Sequence, residues 1–524
     1  MAKKLFLAPV VFLFTISLGA QSPSPAPAGA AVPDILASTI TAEHLRRHVM
    51  VLSSDGMEGR ETGQPGLRRA MRYVENRLGS FGAQAFGNPN GERPFEYDYA
   101  YHRMSAGKAY LTVGQTHLTE DTDFVVPQDL NDYLDETEMH EVVFLGYGID
   151  APAYSDYTNR RVRGKSIVIF SGAPPRGELA AWGSDTLKLR AAKKHGVRTV
   201  FVVRDSLPAV RRSYRYWEEG RGPEPAKYYA PTVYITPGTA EKIMGRRWRK
   251  ALRCRKRIDR RLKAGHFTVP AIVSLEINTK HLVLEGSNIL ILIEGTDPKL
   301  KDEYVFVTAH LDHLGRRGDL IYNGADDNAG GSAALLELAR VFNHAREMGQ
   351  GPRRNIVIMW VTGEEKGLLG SKYYTNHPNV PLEQIVAEVN MDMIGRHNKA
   401  DTGKDYVYVI GSDRLSTDLD SIIRAANEAH VGLELDYRYN AKDDPNRFYY
   451  RSDHYSFARK GIPSVFFFKG THDDYHQPTD TYEKLDYDRM VKVVRLIFHT
   501  IWDLANMPAR PRLNVEETTT NHKK

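Results

Sequence analysis

Cysteine is almost absent from this chain of 524 residues: Cys254 stands alone. A single cysteine excludes an intramolecular disulfide and a thiolate metal site, so stability has to come from a buried core. Long apolar runs are also missing. The run from Leu5 to Leu18 is too short to span a bilayer comfortably. It follows Lys3-Lys4 and precedes Gly19-Ala20 and a Pro/Ala/Ser tract, which is the layout of a secretory signal peptide. Export with cleavage near Ala20, to the periplasm or the medium, is the expectation, with no membrane span left afterwards. No cysteine follows the run to suggest a lipid anchor. The signatures HExxH, GxSxG, CxxC and the Walker loop are absent as well. "GKS" at 164–166 lacks the glycine a phosphate loop needs five positions earlier, where Asn159 stands, and reads as the entry to a strand.

What remains is ordinary for a folded soluble protein: 41% hydrophobic and 26% charged residues. The length exceeds what one core normally supports, so two domains or one domain with a large insert is expected. The net charge of +6 invites a nucleic-acid reading, but the basicity is local. Arg246 to Lys263 holds eleven Lys/Arg against one Asp, which leaves the rest of the chain net negative. Trp248, Leu252, Ile258 and Leu262 recur at helical spacing there, so an amphipathic helix with a solvated basic face is predicted. Contact with an anionic surface is the alternative, and no nucleic-acid partner is expected.

The texture of the chain divides it. Residues 1–20 read as the signal peptide and 21–38 as a Pro/Ala-rich linker. In 39–103 two helical patterns flank a glycine-rich loop. From 104 to 280 short apolar runs between turn signals predict a mostly β insert with a helix or two. From 281 to 506 strand-then-helix units return, as in "EYVFVTAH", "NIVIMWVTG", "IVAEVNMDMIG" and "PSVFFFKG". These predict an α/β sandwich with a central, mainly parallel sheet. The tail 507–524 is polar and expected to be disordered. There are no internal repeats.

Histidines and carboxylates gather where those strands end. His310 closes one β-run, Glu364 and Glu365 follow another, Asp392 a third, and His476 lies in the loop after a fourth. Open α/β sheets place their sites at such ends. Adjacent Asp326 and Asp327 in "GADDNAGG" repel, unless one of them bridges two cations; the small neighbours would let the loop approach closely. Zinc accepts carboxylate and imidazole together. In "TGEEKG" one glutamate can ligate while the other stays free as general base. Asp312 is placed to hold the His310 imidazole from behind.

Together His310-x-Asp312, "GADDNAGG", "TGEEKGLLGS", "NMDMIG", "RSDHYSF" and "DDYHQPTDT" resemble the M28 metallopeptidases, the co-catalytic di-zinc aminopeptidases and their carboxypeptidase relatives. "LSSDGMEGRETGQPG" is similar to that family's N-terminal segment, and 146–175 to a protease-associated domain. The resemblance implies a zinc-exopeptidase sandwich with an inserted protease-associated domain. It also implies two divalent ions, zinc foremost with manganese or cobalt as alternatives. His310, Asp326 and Asp392 would bind one ion; Asp326, Glu365 and His476 would bind the other. Glu364 would take a proton from a water bridging the metals, with Asp312, Asp327 and Asp453 in support. His313, His454 and Tyr475 are open between pocket and structural roles.

An exported metallo-aminopeptidase acting on peptides is the resulting expectation. A carboxypeptidase, a glutaminyl cyclase and a metal-free binding protein on the same fold are the rivals. A cyclase should be compact, and a binding protein need not keep every ligand. Between amino- and carboxypeptidase the sequence leaves the choice open, because "YNAKDDPNRFYYRSDH" offers Lys442, Arg447 and Arg451 beside Asp443 and Asp444.

Overall fold

The computed structural model describes residues 31–88, 90–127, 137–159, 161–175, 177–209, 214–222, 229–398, 403 and 405–514. The predicted signal peptide, linker residues 21–30 and tail residues 515–524 lie outside them. Within the predicted linker, Val32–Ser38 forms a helix. At the other end, Arg512 pairs with Asp418 at 2.9 Å, and the Asn514 amide donates to the Leu415 carbonyl. None of the described helices is long and apolar enough to cross a membrane.

The chain forms two compact units, residues 1–99 with 286–524, and residues 100–285. The first is built on a mixed sheet. Its strands are the end of Phe267–Ile293 (β1), Tyr304–His310 (β2), Asn355–Val361 (β3), Ile385–Met391 (β4), Tyr406–Ile410 (β5), Glu434–Asp436 (β6) and Ser464–Phe468 (β7). They lie in the order β6-β5-β7-β4-β2-β3-β1. The four central strands β7, β4, β2 and β3 are parallel. β1 runs antiparallel to β3, and β5 antiparallel to β7.

These strands are continuous apolar runs because both faces of the sheet are covered. Ile356, Ile358 and Trp360 of β3 join a core with the helices Ala42–Leu52, Pro65–Ser80, Gly331–Glu347 and Tyr487–Asn506. Val357, Met359 and Val361, pointing the other way, pack with Tyr374 and Phe457. This is the α/β architecture expected from the alternating strand and helix patterns.

In the second unit Thr137–Phe144, Ser166–Phe170, Thr199–Val203 and Thr232–Ile235 pair in parallel, with Asp185–Lys194 and Pro237–Met244 as helices between and after them. The basic stretch forms the helix Trp248–Arg261. Its inward face differs from the expected one. Trp248, Ala251, Cys254 and Ile258 are buried, while Leu252 and Leu262 are each 37% exposed. The buried face steps by three, three and four residues along the helix and leaves both larger leucines outside it.

Helix Gly331–Glu347 buries Glu337 against Ala42–Leu52. Glu337 Oε2 lies 3.1 Å from His44 Nδ1 and 2.7 Å from Arg340 Nη2, and its Oε1 is 3.7 Å from His48 Nε2. Burial would raise this carboxyl, but hydrogen bonds from His44, His48 and Arg340 hold it well below the usual range. The unfolded chain therefore takes up the proton first as pH falls. The stabilisation is present above the ordinary glutamate pKa and is lost on acidification. Glu337→Gln should lower stability by about 3 kcal/mol near neutrality. It should also flatten the acid limb below roughly pH 5, as read from urea midpoints against pH.

Candidate metal centre

Four parallel strands carry the acidic and imidazole groups to one edge of the sheet. β2 ends on His310, Glu364 and Glu365 follow β3, Asp392 follows β4, and the loop after β7 holds His472, Tyr475 and His476. Parallel neighbours end on the same side, which is why residues distant in sequence meet here.

Asp327 occupies the centre of the group. Its Oδ1 lies 3.3 Å from His310 Nε2, which is also 3.2 Å from Asp392 Oδ1. Its Oδ2 lies 3.1 Å from His476 Nε2, itself 3.3 Å from Glu365 Oε1. His313 Nδ1 joins this second set, 2.8 Å from Glu365 Oε1 and 3.9 Å from Asp327 Oδ2. Two oxygens of one carboxylate thus face two separate donor sets. Donor atoms of His310, Asp327 and Asp392 lie within 4.8 Å of one another, as do those of His313, Asp327 and Glu365.

Burial and charge push these groups apart. Burial raises Glu364, and the carboxylates of Glu365, Asp392 and Asp453 raise it further, well above the glutamate range. For Glu365 burial and Asp327 act upward, yet hydrogen bonds from His313 and His476 bring it down to about 2. Asp327, with burial against it and the imidazoles of His313, His310 and His476 for it, is held well below the usual aspartate value. Two adjacent glutamates in one half-buried turn therefore differ in kind.

Asp326, expected between the two ligand sets, is not there. Its Oδ1 accepts from the Gly395 amide at 2.7 Å, and its Oδ2 is 3.2 Å from His472 Nε2. Asp480 orients the turn by accepting the amides of both Asp326, at 3.0 Å, and Asp327, at 3.1 Å. The two side chains then diverge, Asp326 toward the loop after β4 and Asp327 toward the strand ends. Gly324, at φ +56°, lets the turn close: a Cβ there would overlap the Asp327 carbonyl and the His313 ring.

Asp312 holds His310 differently from the expectation. His310 Nδ1 is 3.1 Å from the Asp312 backbone carbonyl, while the carboxylate stands 3.9 Å away. That carboxylate instead accepts the Glu364 amide at 3.2 Å and the Thr62 hydroxyl at 2.8 Å. Asp392 is oriented by Ser452, whose hydroxyl donates to Oδ2 at 2.9 Å and leaves Oδ1 toward His310. Asp453 is buried and, through burial, raised to about 7. His454 is also buried, lowered to about 3 by burial, and stacks on Phe466 at 5.0 Å. Tyr475 stacks on His476 at 3.9 Å.

Sequence reasoning missed Arg60. Its fully buried guanidinium donates to the carbonyls of Leu52, Leu311, Asn323 and Gly324 at 2.6–2.9 Å, and burial lowers its pKa to about 10. It ties the N-terminal segment to the loops that carry His313 and Asp327. The glycines around it in "GMEGRETG" were the available signal, since Gly59 is at φ +66°.

Imidazole nitrogens and carboxylate oxygens without thiolate suit zinc, and also manganese or cobalt. The two donor groups share Asp327, and their chemistry suits a divalent ion. Residues 288–501 match the model of peptidase family M28. That M28 segment contains every residue of the two donor sets. The chain is 30% identical over 222 residues to leucine aminopeptidase 1 of Trichophyton equinum, covering 41% of this chain and 57% of that protein. It is 28% identical over 228 residues to leucine aminopeptidase 1 of Sclerotinia sclerotiorum, covering 42% and 56%. The chain thus spans a little over half the length of these curated relatives. Among solved structures, an aminopeptidase from Aneurinibacillus sp. strain AM-1 superposes with a TM-score of 0.56 at 19% identity, covering 92% of this chain and 98% of that one. Its likeness extends the shared fold beyond the M28 segment.

The divergence of the two aspartates predicts unequal substitutions. Asp327→Asn should lose most bound metal by elemental analysis, whereas Asp326→Asn should retain at least one ion per chain.

Proposed function

We propose that this protein is an exported metallo-aminopeptidase that removes N-terminal residues from peptides. The observation that carries the reading is Asp327, with one oxygen toward His310 and Asp392 and the other toward His476 and Glu365. Two divalent ions held by these residues, zinc foremost, would polarise the scissile carbonyl and balance the charge that develops on it. Asp327 takes the bridging role in this proposal, in place of Asp326.

Glu364 serves as general base. It lines the cavity beside Asp327 and Asp392, and its amide is fixed by Asp312. It takes a proton from the attacking water and passes it to the leaving amine. Asp312 and Ser452 position the machinery. Met393, Phe448, Phe466 and Phe468 line the same cavity and suit an apolar side chain. The leucine aminopeptidases among the relatives agree with that preference. Residues 100–285 fit the role of a protease-associated module.

One observation favours a second reading. Of the five charged residues that the sequence left undecided, Arg451 lines the cavity, its Nη2 3.1 Å from Tyr475 Oη. A guanidinium there could receive a substrate carboxylate, as a carboxypeptidase needs. Chelator-sensitive hydrolysis of free-N-terminal and N-blocked peptides separates the two. Cleavage confined to free N-termini is expected; release of C-terminal residues from blocked peptides would overturn the aminopeptidase reading.

Glu364→Gln should keep the parent's metal content while kcat falls by about 10²–10⁴-fold. Glu365→Gln should lose metal as well. Full turnover by Glu364→Gln would remove it from the role of base.

A further inference from the structure

The helix Trp248–Arg261 presents far more positive charge than its own unit neutralises. Of the eleven cations between residues 246 and 263, ten are exposed. Arg255 is the one drawn inward, its Nε 3.2 Å from Tyr147 Oη and its guanidinium 4.8 Å from the Phe170 ring centre. The single carboxylate of the stretch, Asp259, is turned to Tyr147, whose hydroxyl donates to it at 2.7 Å.

Helical geometry sorts the exposed cations. At 3.6 residues per turn, Arg249, Arg253, Lys256 and Arg260 fall on one line opposite the buried Trp248, Ala251, Cys254 and Ile258. The line runs about 16 Å along the axis. Among the described residues none of these four makes an ion pair, hydrogen bond or ring contact. Like charges at this spacing disfavour a helix, so the fold holds the face in place against its own repulsion.

We propose that this face docks on an anionic lipid surface. A straight row of cations on one firmly anchored helix matches a plane of negative headgroups. Leu252 and Leu262, each 37% exposed, add apolar area beside the row for the lipid interface to take up. A single-stranded nucleic acid would favour aromatic platforms between the cations, and the only aromatic residue on this helix, Trp248, is buried. Because the rest of the chain is net negative, the positive charge is concentrated in this stretch and favours approach by this face.

Co-sedimentation of the purified protein with vesicles tests the idea. Binding to phosphatidylglycerol–phosphatidylcholine vesicles is expected near 0.1 M salt and should be lost at about 1 M, where screening shortens to a few ångströms. Pure phosphatidylcholine should not bind. The quadruple variant R249Q/R253Q/K256Q/R260Q should partition about a thousandfold less well, while R249K/R253K/R260K should bind like the parent. Absence of binding to anionic vesicles, equal binding to neutral ones, or unchanged binding by the glutamine variant would overturn the proposal. Tighter binding to a DNA oligonucleotide than to vesicles would replace it with a nucleic-acid surface.

Discussion

Everything around the candidate site answers one electrostatic problem: Asp327, Glu364, Glu365 and Asp392 are brought together away from water. Carboxylates this close and this buried cannot all ionise without positive partners. His310 and His476 meet part of the demand by bracketing Asp327. Their arrangement on both sides of one carboxylate is also what gives the site two donor sets. The unequal glutamates follow from the same constraint, because Glu365 is within reach of His313 and His476, and Glu364 sits among carboxylates.

The surroundings hold that geometry with main-chain contacts. Arg60 collects four carbonyls from three segments, Asp480 collects two amides of the central turn, and Asp312 collects the Glu364 amide. Charge-assisted bonds of this kind are directional and strong for their size. They fix loops that the strands alone would leave free. The parallel sheet supplies the coarse convergence, and these buried ions supply the last ångström.

A different balance governs the helix Trp248–Arg261. Its inward face is small and well packed, so burial anchors the helix, while among the described residues Arg249, Arg253, Lys256 and Arg260 on its outward line stay unpaired. The buried acidic cluster and this helix therefore use charge in opposite ways. One buries it with partners; the other exposes it without them.

Much of this was legible in the sequence. The apolar runs ending at His310, Val361, Met391 and Phe468 declared a buried parallel sheet, because strands covered on both faces need no alternation. The placement of the candidate ligands at one end of that sheet was legible for the same reason. What the sequence could not separate were near neighbours: Asp326 from Asp327, the Asp312 carboxylate from its carbonyl, Leu252 from Cys254. Each choice depends on which way a side chain leaves its turn. The tertiary structure decided them, through the Asp480 and Gly395 contacts at the aspartates, the Thr62 and Glu364 contacts at Asp312, and the packing against Trp248 on the helix. Composition and period specify which elements form and where they end; only partners from distant segments specify where one side chain points.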